Sequence, residues 1–394
     1  MLEDVSRATG CRRLGRRRMQ IQRFDNFEDL LPWADDWDRM AAGVPFRSWA
    51  WATTWWRHYG ATVPGRRLCL LVVFDRKHTM VGVAPWYVDG ETDRHRTIRF
   101  LGSGEVCSDY LSLLVEPGME KAVAGAVAQH LLRAEQTGSV VPRWDTIELT
   151  GVDARDISVD WLTEHLALAG CMVHHRMGPP CRRAMLPGSL DAYLDRLSKN
   201  SRRKVRRLRR RMLESGRCEL RTATNLTELN MAMNRFIELH QRRQRMLDRS
   251  GCFASSQFAA FHRDVARQML TAGQLMLHTL WIDDRPAAAE YQFIGDGVVY
   301  AYQSGIDPTR MDLQPGHVLQ LAVIAWAIRN GYRAYDFLRG DEPYKSHWNA
   351  SRRDSLEIRI AACRPGAQLR HAAWVAGVEA KRWIRQSLEH LKQH

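Results

Sequence analysis

No Cys-x-x-Cys pair occurs among the eight cysteines of this 394-residue chain. Cys11, Cys69, Cys107, Cys171, Cys181, Cys218, Cys252 and Cys363 are scattered, which argues against a structural zinc site or a disulfide framework and fits a reducing cytosol. No apolar stretch approaches the roughly 18 residues of a spanning helix. The Walker-type Gly-x-x-x-x-Gly-Lys, the Gly-x-Ser-x-Gly elbow and His-Glu-x-x-His are also missing, which disfavours a P-loop NTPase, an ordinary α/β-hydrolase and a zincin. Acidic residues are in deficit: 44 against 58 basic, a formal charge of +14. Such a surplus favours anionic partners without choosing among nucleotides, acidic glycan, nucleic acid or a membrane face.

What is present reads as globular: 45% hydrophobic and 26% charged residues, long enough for two domains of roughly 150–200 residues. Residues 1–18 read as a dispensable basic extension, since Arg12 to Arg18 precede Met19 with no apolar core of a signal peptide. The natural start is then Met19 as readily as Met1. Two segments share one order of hairpin, helix, strand and glycine. Leu68–Asp75 with Met80–Val88, Lys121–Glu135 and Trp144–Gly151 form the first. Leu275–Asp283 with Pro286–Ile294, Gly316–Asn330 and Tyr332–Gly340 form the second. The β-branched and aromatic runs predict strands, and their alternation with helices predicts α/β layers in an internally duplicated chain. The expected units are 19–181 and 182–364, followed by a C-terminal helix over 365–394 that packs on the second unit or meets a membrane or partner. The early tryptophans, Trp33 to Trp56, would form a core or a sugar-stacking groove, the core being the expected use.

Eight of the ten residues from Arg202 to Arg211 are basic. With Ser201 as N-cap and Gly216 as stop, this predicts a helix with a cationic outer face. Like charges at that spacing oppose the helix, so an anion beside it is expected: a phosphate, an acidic glycan or RNA. Four further stretches could carry chemistry. Pro315-Gly316 opens an apolar helix whose free N–H groups suit phosphate. Asp336, Arg339, Asp341, Glu342, Tyr344, Lys345 and His347 crowd the end of a strand, where α/β sheets place ligands. His240 and Arg243 share a helix face. Asp109-Tyr110 follows the loop Gly102-Ser-Gly104, as cleft lining or as a turn.

Together these residues resemble a known family. Phe46-Arg-Ser-Trp49, Trp55-Trp56, Ser108-Asp-Tyr110, the arginine-rich helix, Leu239-His-Gln-Arg-Arg243, Gly305-Ile-Asp-Pro308, Pro315-Gly-His-Val-Leu319 and Asp336-Phe-Leu-Arg-Gly-Asp-Glu-Pro-Tyr-Lys345 to Trp348 are similar to the GNAT-superfamily acyltransferases of the CelD/BcsL type, associated with bacterial cellulose and exopolysaccharide synthesis. Fem-type aminoacyltransferases, which share a double GNAT arrangement, are a more distant likeness. The resemblance implies tandem GNAT-like units, each a mixed, mostly antiparallel sheet flanked by helices, with the donor site in the second. It implies acetyl-CoA or another acyl-CoA as co-substrate and no metal. Gln314, Pro315, Gly316 and His317 would hold the donor. The expected catalytic groups are Asp336 or Asp341 as base, Tyr344 as acid for the thiolate and His240 as alternative base. Arg243, Arg339, Lys345, Trp348, Asp109 and Tyr110 would bind substrate. The chain departs from ordinary GNAT enzymes at Met311-Asp-Leu-Gln-Pro-Gly316, which lacks their Arg/Gln-x-x-Gly-x-Gly/Ala loop, and has Gln244 where the family leans to Trp.

The resulting expectation is a cytoplasmic transferase, at most peripheral to the inner membrane. It moves an acyl group to a hydroxyl or amine of a sugar, glycolipid or polysaccharide-pathway acceptor. Two rivals stand beside it: a transferase using charged tRNA, with the cationic helix on RNA phosphates, and a non-catalytic module of a polysaccharide-synthesis complex or an anionic membrane surface.

Overall fold

The computed structural model describes residues 19–90, 95–137 and 143–391. The expected basic extension over 1–18 lies outside them.

In chain order the first part holds β1 (Gln20–Phe24), α1 (Ala34–Met40), α2 (Trp49–Trp55), β2 (Arg67–Phe74), β3 (Met80–Asp89), β4 (Thr97–Phe100), β5 (Leu114–Val115), α3 (Glu120–Thr137), β6 (Thr146–Asp153), α4 (Ile157–Leu168) and β7 (Met172–Met177). The second holds β8 (Cys181–Met185), α5 (Leu190–Asp195), α6 (Lys199–Leu208), β9 (Cys218–Thr222), α7 (Leu226–Met246), α8 (Ser256–Thr271), β10 (Leu275–Ile282), β11 (Arg285–Gly295), β12 (Val298–Ile306), α9 (Pro315–Arg329), β13 (Ala334–Arg339), α10 (Pro343–His347) and β14 (Ser351–Arg353). β15 (Ser355–Ala361) and α11 (Pro365–Leu391) complete the chain.

The strands form two mixed sheets. The first runs β1-β2-β3-β4-β6-β15-β7, with β5 on β3; the second runs β14-β8-β13-β12-β11-β10-β9. Both expected hairpins form, as β2–β3 and β10–β11. Each sheet contains one parallel pair, β4 with β6 and β12 with β13. A helix crosses between the partners in each case, α3 or α9, as a parallel connection requires. The duplicated order seen in sequence is therefore a duplicated topology.

The sheets also exchange chain. β15 falls by sequence within the expected span 182–364, yet it pairs with β6 and β7 in the first sheet. Its alternating Leu356, Ile358 and Ile360 cover the apolar face there, with Ile358 and Ile360 buried. β8, which begins at Cys181, joins the second sheet against β13.

Trp37, Trp51 and Trp55 are buried, and the aromatic core runs across both parts of the chain. The Trp51 ring lies 5.1 Å from Phe261, 5.4 Å from Phe293 and 5.9 Å from Tyr302, mostly edge to face, the arrangement ring quadrupoles favour. Its Nε1–H donates to Ser108 Oγ at 2.9 Å.

The cationic helix starts earlier than its sequence predicts. Ser198, not Ser201, is the N-cap, its hydroxyl accepting from Ser201 N–H at 3.3 Å. The last turn, Arg209–Leu213, widens to a π-helical turn before Gly216 takes φ 75°. Val205, Leu208 and Met212 are buried, which leaves the basic side chains outward.

Candidate functional site

β12 and β13 pair only over Val298–Tyr300 and Ala334–Asp336, then part. The divergence has a local cause. Tyr291 opposes Gln303 and Gln292 opposes Ala301, so Tyr302 is one residue too many on β12. Such a bulge bends its strand. Into the opening points the start of α9. Gln314 adopts the left-handed conformation (φ 55°, ψ 48°), Pro315 takes the first helical position, and no side chain caps the helix. A helix start of this kind presents N–H groups and a positive dipole end.

Two cavities flank this point. One, of about 420 Å³, is lined by Arg243, Glu290, Ser304, Ile306, Gln314 to His317, Gln320, Tyr344 and Trp348 among others. The other, of about 410 Å³, lies between the two sheets. Glu105, Cys107 and Asp109 line it from the first part; Cys252, Glu290, Tyr302, Ser304, Arg339, Glu342, Tyr344 and Lys345 line it from the second. Glu290, Ser304 and Tyr344 line both.

Glu290 is the residue that sequence reasoning missed. It sits mid-strand in β11 and is buried. Its Oε1 accepts from the Tyr335 hydroxyl at 2.6 Å, and that oxygen accepts in turn from Gln292 Nε2 at 2.9 Å. Its Oε2 has no partner among the described residues. Burial pushes the carboxyl up to about 7, against the opposing Tyr335 hydrogen bond. The signal was available: an acid inside the run Ala287-Ala-Ala-Glu-Tyr-Gln-Phe is a charge in a strand that otherwise reads as core.

The expected donor residues converge. Gln314, Pro315, Gly316 and His317 all line the first cavity, with Arg243 and Trp348 on its walls. His317 is held below its usual range by burial, then by His347 and Lys204. Tyr344 lies at the junction, its phenol pushed up by burial and by the Glu290 and Glu342 charges.

The expected base residues do not converge there. Asp336 is fully buried and lines neither cavity. Its carboxylate accepts from the Tyr110 hydroxyl (2.7 Å), Arg183 Nε (2.6 Å) and Leu338 N–H (2.8 Å). Asp341 is exposed, lines neither cavity and takes Arg182 Nε at 2.8 Å, which lowers its pKa. His240 is buried; its Nδ1 faces Gln241 Oε1 at 3.0 Å and its Nε2 faces Cys252 Sγ at 3.7 Å. Burial holds it below its usual range, and it lines neither cavity.

Two expected substrate-binding residues line the interunit cavity but are engaged by the protein's own groups. Arg339 donates its N–H (3.0 Å) and Nε (2.8 Å) to Asp109 and a terminal nitrogen to Ser108 O at 2.8 Å. Lys345 is buried, its Nζ donating to the carbonyls of Leu338 (3.3 Å), Arg339 (2.7 Å) and Gly340 (3.2 Å), with Glu342 at 2.8 Å. The reason is backbone strain. Leu338 has φ 54°, an uncommon conformation for a non-glycine residue. Asp336 on its N–H and Lys345 on its carbonyl hold that turn, and the turn walls the cleft. Tyr110 reaches the same network through its hydroxyl.

Among the described residues no group of His, Cys, Asp and Glu is arranged to hold a metal ion, and no helix is long and apolar enough to cross a membrane.

Residues 199–346 match the family model described as an acetyltransferase (GNAT) domain. That span runs from α6 to α10 and contains the first cavity's lining up to Tyr344. No curated protein matches the chain in sequence. Among solved structures, that of FemX has a TM-score of 0.60 at 11% identity, covering 85% of this chain and 98% of that one. A conserved protein of unknown function from Bacteroides thetaiotaomicron VPI-5482 has a TM-score of 0.52 at 11% identity, covering 87% and 100%. At these identities the likeness is one of fold. The architecture is that of two similarly connected units, each a mixed sheet flanked by helices, with the GNAT match lying in the second.

Proposed function

We propose that this chain is an acyltransferase taking its acyl group from acyl-CoA. The observation that carries this reading is the meeting of two cavities at Glu290. One begins at the uncapped start of α9, and the other opens between the two units. A two-substrate transfer needs donor and acceptor to reach one point from different sides.

The donor's phosphates would lie on the N–H groups of Gly316 and His317, where helix start and anion suit each other. Its thioester would run toward Ser304 and Tyr344. The acceptor, entering by the interunit cleft, attacks the thioester carbonyl as its own proton passes to Glu290 Oε2. A carboxyl near 7 is half ionised at neutral pH, the condition for general-base work. The CoA thiolate leaves as the tetrahedral intermediate collapses, and Tyr344, kept protonated by its raised pKa, is the group placed to protonate it. Asp336, Asp109, Tyr110 and Lys345 position the Leu338–Gly340 wall rather than touch the reacting atoms. The acceptor class follows from the resemblance to CelD/BcsL-type proteins: a hydroxyl or amine of a sugar, glycolipid or polysaccharide-pathway molecule.

A second reading has an aminoacyl group arriving on charged tRNA, favoured by the basic face of α6 and by the FemX-like fold. Calorimetric titration with acetyl-CoA and longer acyl-CoAs, with free CoA as control, separates the two. Saturable binding that Gly316→Trp weakens supports the acyl-CoA reading. Absence of binding at millimolar ligand, with co-purifying RNA, sinks it in favour of the second.

A further inference from the structure

We infer that α6 carries a phosphate-recognition pocket for the distal, nucleotide end of the donor, so that the protein reads the carrier as well as the acyl group. This rests on the acyl-CoA reading and extends it to a site outside the two cavities described.

Two groups of basic residues stand out on α6 and its last turn. Arg202 and Arg206 share Asp195 (3.3 and 2.9 Å), and Arg209 takes Asp191 (2.7 Å) and Glu214 (2.8 Å). Lys204, Arg207 and Arg211 have no carboxylate partner among the described residues. They recur at three- and four-residue spacing, so they share one face, and all three remain exposed to solvent. They line a pocket of about 240 Å³ whose floor is Val205 and Leu208 and whose far wall is Gln314 and His317. Gln314 and His317 also line the donor cavity. The pocket is therefore the continuation of that cavity beyond the start of α9.

Three cations facing one small pocket repel one another, and the α9 dipole adds positive potential from the opposite wall. The pi-helical turn at Arg209–Leu213 carries Arg211, and such turns recur at functional sites. The arrangement is costly to the helix unless an anion enters. A phosphate monoester fits the charge and the volume of about 240 Å³. A nucleic-acid backbone needs an open groove with stacking rings, and the lining has no aromatic side chain other than His317. The ligand chemistry is thus a terminal phosphate on the nucleotide of the carrier, such as the 3′-phosphate that distinguishes CoA from dephospho-CoA.

The test is calorimetry with CoA and dephospho-CoA on the full chain and on Arg207→Gln, Arg211→Gln and their double variant, with circular dichroism to confirm folding. The expected result is that the unaltered protein binds CoA at least tenfold more tightly than dephospho-CoA. The double variant should lose that preference while its dephospho-CoA affinity stays within twofold. Equal affinity of the unaltered protein for both ligands overturns the pocket assignment and leaves the acyl-CoA reading standing; so does a preference that survives both substitutions. Failure of both ligands to bind the unaltered protein overturns the pocket assignment and the acyl-CoA reading together. Binding of a tRNA pool that the double variant abolishes, with no CoA binding, assigns the face to RNA instead.

Discussion

Asp109 and Arg339 lock the two units together: one carboxylate from the first unit accepts both the backbone N–H and the Nε–H of an arginine in the second, at 3.0 and 2.8 Å. Asp109 is 3% exposed, and burial raises its pKa even against Arg339. The pair sits on the wall of the interunit cleft, so it joins stability to the site.

Removing that carboxylate leaves Arg339 largely buried without its counter-charge. Asp109→Ala should cost about 3 kcal/mol, the low end for breaking a buried pair, because Arg339 keeps some solvent contact. Urea denaturation measures it. A loss under about 1 kcal/mol would show that the units hold together without this lock.

Asp336 should behave as a positioning residue. Asp336→Ala strips partners from Arg183, Tyr110 and the strained Leu338 at once, and the expected loss is several kcal/mol. Tyr110→Phe removes one neutral-donor bond to the same carboxylate and should cost about 1–2 kcal/mol. Activity per folded molecule should fall less in Tyr110→Phe than in Glu290→Gln. The reverse order would return the base role to Asp336.

Glu290 predicts two pH dependences. Transfer should require its ionised form, so kcat/KM should rise on an acid limb with an apparent pKa about 7. Glu290→Gln should erase that limb and lower kcat/KM by about 10²–10⁴-fold. Stability should run the other way. The folded carboxyl holds its proton above the ordinary value of 4.5. Its contribution is therefore complete below that value and is lost as pH rises through about 7. Melting temperature should fall across that window more steeply in the unaltered protein than in Glu290→Gln.

Gly305 is needed for close approach rather than for a turn. A Cβ there would stand 2.6 Å from His240 N and 2.9 Å from both Phe236 O and Leu239 Cβ. Those are largely backbone atoms of α7, which cannot yield as a side-chain tip can. Gly305→Ala should cost about 1–3 kcal/mol by overpacking, read as a lower melting temperature, and should displace β12 beside Ser304. An unchanged melting temperature would mean that α7 moves freely against the sheet.

One part of the candidate site was legible in sequence, and for a local reason. The start of α9 is written in adjacent residues, Gln314-Pro-Gly-His317, because a helix terminus is a local event governed by capping and backbone conformation. The crowded segment from Asp336 to Trp348 reads in sequence as lying at a strand's end; Arg339 to Trp348 do, whereas Asp336 lies within β13. Which of its side chains face the cavity was not legible. Asp336 and Lys345 are committed to the Leu338 turn, whose N–H and carbonyl they hold, and that contact belongs to the folded chain.

From the sequence alone came the duplicated order of elements, both hairpins, the crossing helices and the cationic helix, since periodicity, turn chemistry and charge density act over a few residues. Tertiary structure alone decided that β15 returns to the first sheet, that the tryptophan core bridges the units and that Asp109 closes on Arg339. It also made Glu290 a candidate base, because burial raises its carboxyl to about 7, and burial belongs to the assembled fold rather than to any stretch of chain.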